Sequence, residues 1–333
     1  MSEYPQLKDS FGRIAKKLRI SVTDKCNMRC VYCMPYNNTD WIKQDNLLSY
    51  SQIFRLVKIF TSLGIEIIKI TGGEPTVRKD IEKLIKSISL IPEIRSVSMT
   101  TNGLLLKDKI KKLKESGLQN VNISLDTFDS SRFKSMTGTN NLDTVIDSIK
   151  TAKSEGLKVK INTVIMRGWN DDEISSFVDF SRESNLTVKF IEFMPLDGTG
   201  IWKDDLVVSK REMIERIETD FSKLIPLNID KSDPARLYTF EDGLGTIGFI
   251  PSITEPFCQS CDRVRITSEG KLYSCLFDDS SYDLKKLLDE GKSDDEISSF
   301  IKTTMYKKPE GIVKIIKLRN LKSSMNNMYS IGG

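Results

Sequence analysis

Short runs rich in β-branched residues alternate with helical patterns up to about residue 205. The runs cover residues 18–23, 66–71, 95–100, 120–125, 158–165 and 187–193, and the helical patterns lie at 50–64 and near 79–90, 106–116, 142–155 and 171–184. Six strand units in this order predict an α/β fold whose parallel strands are joined by right-handed crossovers. A further helical pattern at 209–219 leads into a segment with proline and aspartate at 226–237, where we expect a loose boundary.

Unusual residues follow the carboxyl ends of five of the predicted strands. They are the cysteine-rich loop at 26–33, GGEP at 72–75, TTNG at 100–103, SLD at 124–126 and EFMP at 192–195. Each stretch alone also fits an ordinary loop with turn residues. Barrel enzymes, however, build their active sites on the rim formed by the carboxyl ends of their strands. The pattern therefore predicts an incomplete (β/α)6 barrel of the TIM type, rather than an open doubly wound sheet, with a site on this rim.

The chain contains six cysteines and no histidine. Without histidine, a metal must be held by thiolate or oxygen, and catalytic triads that use histidine are excluded. The amino-terminal sequence lacks a basic-then-apolar signal pattern, and no run of about 18 apolar residues occurs, so we expect a cytoplasmic protein without a membrane span. In a reducing cytoplasm, clustered cysteines are more often metal ligands than disulfides.

Three of the cysteines, Cys26, Cys30 and Cys33, have the spacing C-x-x-x-C-x-x-C. A structural zinc site needs four ligands, and this loop offers three. A thioredoxin-type pair needs only two cysteines. Three thiolates on one compact loop can instead hold three irons of a cubane cluster and leave the fourth iron open for a small chelating molecule.

The other three cysteines, Cys258, Cys261 and Cys275, form a second group with C-x-x-C followed by thirteen residues and a cysteine. A zinc knuckle that recruits a carboxylate and a set of inert thiols are both open interpretations. The division of the cysteines into two groups of three favours a second cluster with an open iron. That iron would be free to bind a substrate.

Two arginines, Arg263 and Arg265, follow Cys261 in the stretch CDRVR. In an extended segment, residues two apart face the same side, so both guanidinium groups are expected beside the second cysteine group. Paired guanidinium groups can grip phosphate oxygens bidentately. An exposed pair of salt bridges is the alternative, and the adjacent cysteines favour an anion site.

The first cysteine loop resembles that of the radical S-adenosylmethionine superfamily, because Tyr32 precedes the third cysteine and GGEP follows one strand later. The resemblance implies that the open iron binds S-adenosylmethionine, whose reductive cleavage yields a 5′-deoxyadenosyl radical, and that the protein supplies the placement. The glycines of GGEP would let the backbone approach this ligand closely. The cofactor pocket would be lined by Tyr32, Gly73, Asn102, Ser124 and Met194. For Asn102 and Ser124, hydrogen bonding at strand ends is the alternative.

More narrowly, the chain resembles the GTP 3′,8-cyclase family of molybdenum cofactor biosynthesis, also called the MoaA family. The likeness covers nearly the full length and includes both cysteine groups, TTNGLLL, INTVIM, FIEFMP, CDRVR and the terminal IGG. It implies a partial barrel with one 4Fe-4S cluster over residues 1–230. Residues 231–333 would close the barrel as a C-terminal domain with an auxiliary 4Fe-4S cluster, a substrate-binding region and a Gly-Gly tail.

The implied reaction is that of a lyase. The adenosyl radical would take the 3′ hydrogen of GTP, and carbon 3′ would attack carbon 8 of guanine. The product would be (8S)-3′,8-cyclo-7,8-dihydroguanosine 5′-triphosphate, and the purine edge would sit on the open iron of the second cluster.

The resemblance also implies substrate-binding and catalytic residues. GTP would contact Arg19, Lys69, Thr100, Lys160, Arg263, Val264 and Arg265. Gly332 and Gly333 would enter the active site, where glycine avoids a side-chain clash, and would be catalytic together with Arg263 and Arg265. A frayed terminus is the alternative for this tail. Lys69 and Lys189 stand where the family often has arginine, and lysine keeps the charge but loses the planar fork.

The implied partners are GTP, an external electron donor and cyclic pyranopterin monophosphate synthase, which would receive the product. We expect a monomer or homodimer that binds neither nucleic acid nor membrane. Three rivals stay open on the sequence alone: a two-cluster radical enzyme that modifies peptides or proteins, a radical enzyme that modifies RNA, and a zinc-binding scaffold. A net charge of +4 argues against a large RNA-binding surface, and the chain has no cysteine outside the two groups.

Overall fold

The computed structural model of the protein describes residues 6–34, 41–197, 200–228, 232–312, 315 and 327–332. The strands in this part are β1 (Lys17–Ser21), β2 (Ile67–Thr71), β3 (Ser96–Thr101), β4 (Asn120–Ser124), β5 (Lys158–Ile165), β6 (Thr187–Glu192), β7 (Ile225–Pro226), β8 (Arg236–Thr239), β9 (Thr246–Ile250), β10 (Arg263–Ile266), β11 (Lys271–Tyr273) and β12 (Tyr282–Asp283). The helices are α1 (Tyr50–Ser62), α2 (Ile81–Ser89), α3 (Ile110–Glu115), α4 (Ser130–Thr137), α5 (Leu142–Ser154), α6 (Ile174–Ser184), α7 (Lys210–Asp220), α8 (Leu284–Asp289), α9 (Asp294–Tyr306) and α10 (Met328–Ile331). Strands β1–β6 alternate with helices α1–α6, as the sequence pattern predicts.

The strands form one mixed sheet in the order β12-β11-β10-β1-β2-β3-β4-β5-β6-β9-β8-β7. The central strands, from β10 to β9 in this order, run parallel. Antiparallel strands extend the sheet at both ends. The predicted α/β class is therefore confirmed. The sequence pattern missed β9 and β10 as members of the parallel set, because both strands are short and no helix of the alternating type separates them.

Two helices differ from the prediction. Helix α4 was not predicted, because its sequence SSRFKSMT is largely polar. Asp129 caps its amino terminus by accepting a hydrogen bond from the Arg132 N–H, and Gly138 ends it with a φ of 74°. Helix α3 is shorter than the predicted helix near 106–116, because residues 107–109 form a 3-10 turn before it. Among the helices of the described ranges, none is long and apolar enough to cross a membrane.

Burial alternates along β5 and separates the core from the polar face of the sheet. On β5, Val159, Ile161 and Ile165 are buried in the main hydrophobic core with side chains of the helices. Burying each such aliphatic side chain stabilises the fold by about 1.5–3 kcal/mol. Lys160 and Asn162 point to the opposite face, because successive strand residues face opposite sides. The side chains of this opposite face form the candidate site.

Candidate active site

The polar face of the sheet and the loops at its carboxyl edge enclose a cavity of about 240 Å³. The three cysteines of the first group line it. Among the other predicted residues, those that line it are Arg19, Tyr32, Lys69, Gly73, Thr100, Asn102, Ser124, Met194, Arg263 and Arg265. The structure therefore brings the predicted cofactor and substrate residues to the same cavity.

Two predicted substrate residues are placed differently. Lys160 does not line the cavity, but it precedes Asn162, which does, on the same face of β5. The side chain of Val264 is fully buried in the hydrophobic core. Its neighbours in β10 face the cavity, so the Val264 side chain faces away from it. A substrate contact at Val264 can therefore involve only its backbone groups.

The loop that carries the first cysteine group is fastened to helix α4. The backbone N–H groups of Arg29 and Val31 donate to carbonyls at the end of α4, at 2.8 and 2.9 Å. Burial raises the pKa of the Cys26 thiol to about 11, and burial also raises the pKa values of Cys30 and Cys33. Thiols with raised pKa values are poor nucleophiles at neutral pH, and a bound cation would be needed to hold them as thiolates.

The donor set of each cysteine group matches that of an iron–sulfur cluster. Each group offers three cysteines, and a cubane takes one thiolate on each of three irons. A structural zinc ion takes four ligands.

The glycines of GGEP allow two loops to touch. A Cβ atom on Gly73 would lie 2.4 Å from the backbone oxygens of Asp24 and Lys25, and one on Gly72 would lie 2.6 Å from the Thr23 oxygen. We expected these glycines to let the backbone approach a ligand. The protein contacts that require glycine are with the loop after β1, and both glycines also line the cavity, so approach to a ligand stays a prediction.

Glu74 of the same motif connects the loop after β2 to the end of β3. One carboxylate oxygen accepts hydrogen bonds from the hydroxyl groups of Thr76, at 2.5 Å, and Thr101, at 2.7 Å. The other oxygen accepts one of 2.7 Å from the Asn102 N–H. Burial raises the pKa of Glu74, and these hydrogen bonds partly oppose the rise. The carboxylate thus holds Asn102 at the rim, where its amide lies 3.7 Å from the Cys26 sulfur.

Cationic side chains form one wall of the cavity. In the sheet, Arg19 of β1 lies beside Lys69 of β2 and Arg265 of β10. Burial, reinforced by neighbouring cations, lowers the pKa of Arg19 to about 10 and lowers the pKa values of Lys69 and Arg265 well below their usual range. Burial and the nearby charge of Lys160 lower the pKa of Lys189, on β6, to about 8. Because these cations repel one another, a bound polyanion would stabilise them.

Two polar atoms on the cavity have no hydrogen-bond partner within the described part of the chain. They are the hydroxyl oxygen of Thr100 and the side-chain oxygen of Asn162. Leaving a buried polar atom unpaired costs about 1–3 kcal/mol, so such atoms mark positions where a ligand can bind. Thr100 was predicted as a substrate contact. Asn162 was missed, although it belongs to INTVIM, one of the motifs that carry the family resemblance.

The second cysteine group lies beside the arginine pair. A guanidinium N–H of Arg263 lies 3.3 Å from the Cys261 sulfur, and the Lys308 ammonium lies 3.5 Å from it. Burial raises the pKa of the Cys261 thiol, but these two positive charges outweigh it and bring the pKa down to about 6. The Ile312 N–H donates to the Cys258 sulfur at 3.4 Å. The flanks of this group reach the cavity through residues 257, 263 and 276.

The carboxyl-terminal segment also reaches the cavity. Met328 of α10 lines it, and a guanidinium N–H of Arg265 donates to the carbonyl of Gly332. Gly332 has a φ of 80°, and a Cβ atom there would lie 2.5 Å from the Thr71 methyl carbon. Only glycine fits this position without movement of its neighbours. Gly333, the other predicted tail residue, lies outside the described residues.

Comparison with known proteins assigns the chain to a family. Residues 20–181 match the radical SAM superfamily, and residues 186–313 match the family described as Molybdenum Cofactor Synthesis C. A GTP 3′,8-cyclase from Thermodesulfovibrio yellowstonii is 43% identical over 329 residues, which cover 98% of this chain and 100% of that protein. The chain belongs to the GTP 3′,8-cyclase family. Two other GTP 3′,8-cyclases, from Clostridium botulinum and, as a mitochondrial protein, from Arabidopsis thaliana, are 43% and 39% identical and match over 99% and 83% of their own lengths.

Solved structures share the fold of this GTP 3′,8-cyclase family member at low sequence identity. Streptococcus suis SuiB bound to the precursor peptide SuiA matches with a TM-score of 0.65 and 18% identity, over 94% of this chain and 75% of that chain. The structure of anSMEcpe with bound AdoMet matches with a TM-score of 0.53 and 16% identity, over 94% and 93% of the two chains. At these identities the likeness concerns the fold alone, and the family assignment rests on the sequence relatives.

Proposed function

We propose that this chain converts GTP to (8S)-3′,8-cyclo-7,8-dihydroguanosine 5′-triphosphate, the first step of molybdenum cofactor biosynthesis. The reaction follows from membership in the GTP 3′,8-cyclase family. The structural observation that carries the proposal is the shared cavity. The three cysteine thiols of the first group, the predicted cofactor residues and the cation wall all face it.

We infer that β1–β6 and their helices form an incomplete (β/α)6 barrel over residues 1–230, and that residues 231–333 close it as a second domain with its own cluster. In support, β9 and β10 both come from the C-terminal part and lie beside β6 and β1 at the two ends of the six-strand set. Residues 230 and 231, where we place the boundary, lie outside the described residues.

The two cysteine groups would each hold a 4Fe-4S cluster, the first through Cys26, Cys30 and Cys33 and the second through Cys258, Cys261 and Cys275. S-adenosylmethionine would bind at the first cluster, in contact with Tyr32, Gly73, Asn102, Ser124 and Met194. When bound and reduced, this cofactor supplies the 5′-deoxyadenosyl radical that takes the 3′ hydrogen of GTP, after which carbon 3′ attacks carbon 8 of guanine. The protein itself would hold S-adenosylmethionine and GTP at a fixed distance from each other and exclude water from the site.

The cation wall would bind the triphosphate of GTP. Arg263 and Arg265 offer guanidinium forks, whereas Lys69, Lys160 and Lys189 offer point charges. The Thr100 hydroxyl and the Asn162 side-chain oxygen would satisfy their hydrogen bonding on the ligands, since neither has a protein partner among the described residues. Two of these cations, Arg265 and Lys189, are buried. Neutralising their charges would favour triphosphate binding in addition to the direct contacts.

The tail would complete the site. Gly332 lies against Thr71 and Arg265, both of which line the cavity, so the terminal glycines would cover the substrate and orient Arg265 through its bond to the Gly332 carbonyl. We further propose that an external donor reduces the first cluster, that cyclic pyranopterin monophosphate synthase takes the product, and that the enzyme works as a monomer or homodimer in the reducing cytoplasm.

An anaerobic turnover assay tests this proposal. The clusters are reconstituted, dithionite, S-adenosylmethionine and GTP are added, and mass spectrometry follows 5′-deoxyadenosine and a product isomeric with GTP. We expect both to appear, and expect the Arg263→Ala and Arg265→Ala variants to lose the nucleotide product. Arg211→Ala, at a side chain that is 83% exposed, is the matched control and should keep full activity.

Two results would contradict the proposal in different ways. If 5′-deoxyadenosine forms while GTP is unchanged, the radical chemistry stands and the substrate is wrong, and a peptide substrate becomes the next candidate. If the protein binds zinc and no iron, it is a scaffold and not a radical enzyme.

A further inference from the structure

Lys308 is a buried lysine that follows helix α9. Lys308 is only 3% exposed, whereas the preceding Lys307 is exposed. Its ammonium donates to the Arg263 carbonyl at 2.8 Å and to the Cys261 carbonyl at 3.3 Å, and lies 3.5 Å from the Cys261 sulfur. One side chain therefore contacts both the second cysteine group and the arginine strand that follows it.

Arg263 and Arg13 are further cations near the second group, and Arg263 lies 3.3 Å from the same Cys261 sulfur. Arg13 also contacts this group, by donating to the Cys258 carbonyl at 2.9 Å, but it forms an ion pair of 2.5 Å with Asp9. The partners of Lys308 in the described part of the chain are two neutral carbonyls and one sulfur. Because burying an unpaired charge is costly, the Cys261 sulfur as a thiolate is the natural counter-charge for Lys308.

The surroundings of the first cysteine group differ from those of the second. The Cys26 sulfur accepts from neutral donors, the Met28 N–H at 3.4 Å and the Asn102 amide at 3.7 Å. Two acidic side chains lie nearby: Glu74 accepts from the Asn102 N–H, and Asp126 accepts from the Tyr32 hydroxyl. One cation, Arg29, donates to the Cys26 carbonyl at 2.9 Å. Net charge and hydrogen bonds to sulfur set the reduction potentials of iron–sulfur clusters. The two groups therefore differ in the electrostatic property that controls these potentials.

We propose that Lys308 is a positioning residue for the second cluster. It holds the backbone of Cys261 and Arg263 in place, and its positive charge raises the reduction potential of the second cluster above that of the first. This inference rests on the proposed function, since it requires that the second cysteine group holds a cluster. A positive charge beside the thiolate stabilises the reduced cluster, which carries one more electron, so removing that charge lowers the potential.

Four variants separate charge from shape. Lys308→Met removes both the charge and the hydrogen bonds, and Lys308→Gln removes the charge but keeps an N–H donor. Lys308→Arg keeps the charge. Lys307→Met removes a charge one residue away, at an exposed position, and serves as the matched control.

Each reconstituted holoenzyme is titrated anaerobically with dithionite at controlled potential and followed by electron paramagnetic resonance. A variant with Cys258, Cys261 and Cys275 replaced by serine assigns the signals to the two clusters. We expect Lys308→Met and Lys308→Gln to make reduction of the second cluster at least tenfold less favourable, which for a one-electron couple is a shift of about 59 mV to more negative potential. The first cluster should not shift, and Lys308→Arg and Lys307→Met should match the parent chain.

Iron content decides the remaining outcomes. If the parent chain binds about four irons instead of about eight, the second cluster does not exist, and the role proposed for Lys308 is wrong as well. If the parent binds both clusters and the neutral variants leave the second potential unchanged, the inference about Lys308 is wrong and the proposed function stands. If the neutral variants lose the second cluster, its retention in Lys308→Arg supports the role of charge, and its loss there shows that Lys308 acts through shape alone.

Discussion

The Tyr32 hydroxyl donates a hydrogen bond of 2.5 Å to one carboxylate oxygen of Asp126, and the other oxygen accepts one of 2.8 Å from the Val164 N–H. The carboxylate thus joins the first cysteine loop to strand β5 across the cavity rim. Burial raises the pKa of Asp126 to about 6, so the group is mostly ionised at neutral pH. Its negative charge strengthens the bond to the phenol and fixes the first cysteine loop.

Replacing Asp126 by Asn should weaken S-adenosylmethionine binding by roughly tenfold, because a hydrogen bond to a charged group contributes about 1.5–3 kcal/mol. Anaerobic calorimetry on the reconstituted enzyme measures the Kd. Tyr32→Phe removes the same bond, so the double variant should be little weaker than either single variant. Asp143→Asn, at an exposed position, is the control. Fully additive effects of the two substitutions would show that the bond does not position the loop.

Replacing Gly332 by Ala should lower turnover about a hundredfold, because the new methyl group would displace the tail from Thr71 and misplacements of this size carry such costs. Gly291 has a φ of 71°, and a Cβ atom added there would have no other atom within 4 Å, so Gly291→Ala controls for backbone strain without a clash. The added substitution Thr71→Ser removes the Thr71 methyl group with which the methyl group introduced by Gly332→Ala would clash. It should therefore restore part of the activity lost in Gly332→Ala. Unchanged turnover in Gly332→Ala would contradict the role given to the tail.

Lys189 should make nucleotide binding depend on pH. Its pKa of about 8 in the free protein means that it loses its proton as the pH rises through that value, whereas a bound triphosphate would keep it charged. We therefore expect proton uptake on GTP binding, and an affinity that falls roughly tenfold between about pH 7 and about pH 9. Calorimetry in buffers of different ionisation enthalpy measures both.

Two substitutions of Lys189 and one control variant test whether this residue causes the pH dependence of GTP binding. Lys189→Met should abolish the proton uptake near pH 8, and Lys189→Arg should keep the affinity while removing most of its pH dependence, since arginine stays charged. Lys203→Met, at an exposed position, should behave like the parent chain. An unaltered pH profile in Lys189→Met would assign the titration to another group.

Replacing Cys258, Cys261 and Cys275 together by serine should separate the cleavage of S-adenosylmethionine from the cyclisation of GTP. The first cysteine group is unaltered in this variant, so we expect it to retain slow formation of 5′-deoxyadenosine with about half of the iron. The cyclised nucleotide should be absent, because the second cluster would hold the purine. Mass spectrometry of both products checks this, and a variant that still makes the cyclised product would remove the second cluster from the mechanism.

Much of this site was predictable from the sequence, because its residues occupy fixed positions at strand ends. Cys26, Tyr32, Gly73 and Asn102 follow successive parallel strands and Ser124 ends the next one, and parallel strands place their carboxyl ends at one edge. Alternation along a strand also predicted that Arg263 and Arg265 share a face. The same rule, applied to Val264, would have placed its side chain in the core.

The contacts that were missed join distant parts of the chain. Lys308 contacts Cys261, 47 residues away in the sequence, and Asp126 contacts Tyr32, 94 residues away. The stretch SLD placed Asp126 at the predicted rim but did not indicate its partner, and nothing local marks the burial of Lys308. Strands β9 and β10 were missed for a similar reason, because their place beside β6 and β1 depends on long-range pairing and not on local pattern.

The central claim, that the radical formed at the first cluster takes the 3′ hydrogen of GTP bound in the shared cavity, is tested most directly with GTP deuterated at carbon 3′. The reconstituted enzyme is allowed to turn over with S-adenosylmethionine and dithionite, and the 5′-deoxyadenosine is analysed by mass spectrometry. We predict that it carries deuterium and forms together with the cyclised nucleotide. Formation of 5′-deoxyadenosine without deuterium, while GTP is consumed, would contradict the account.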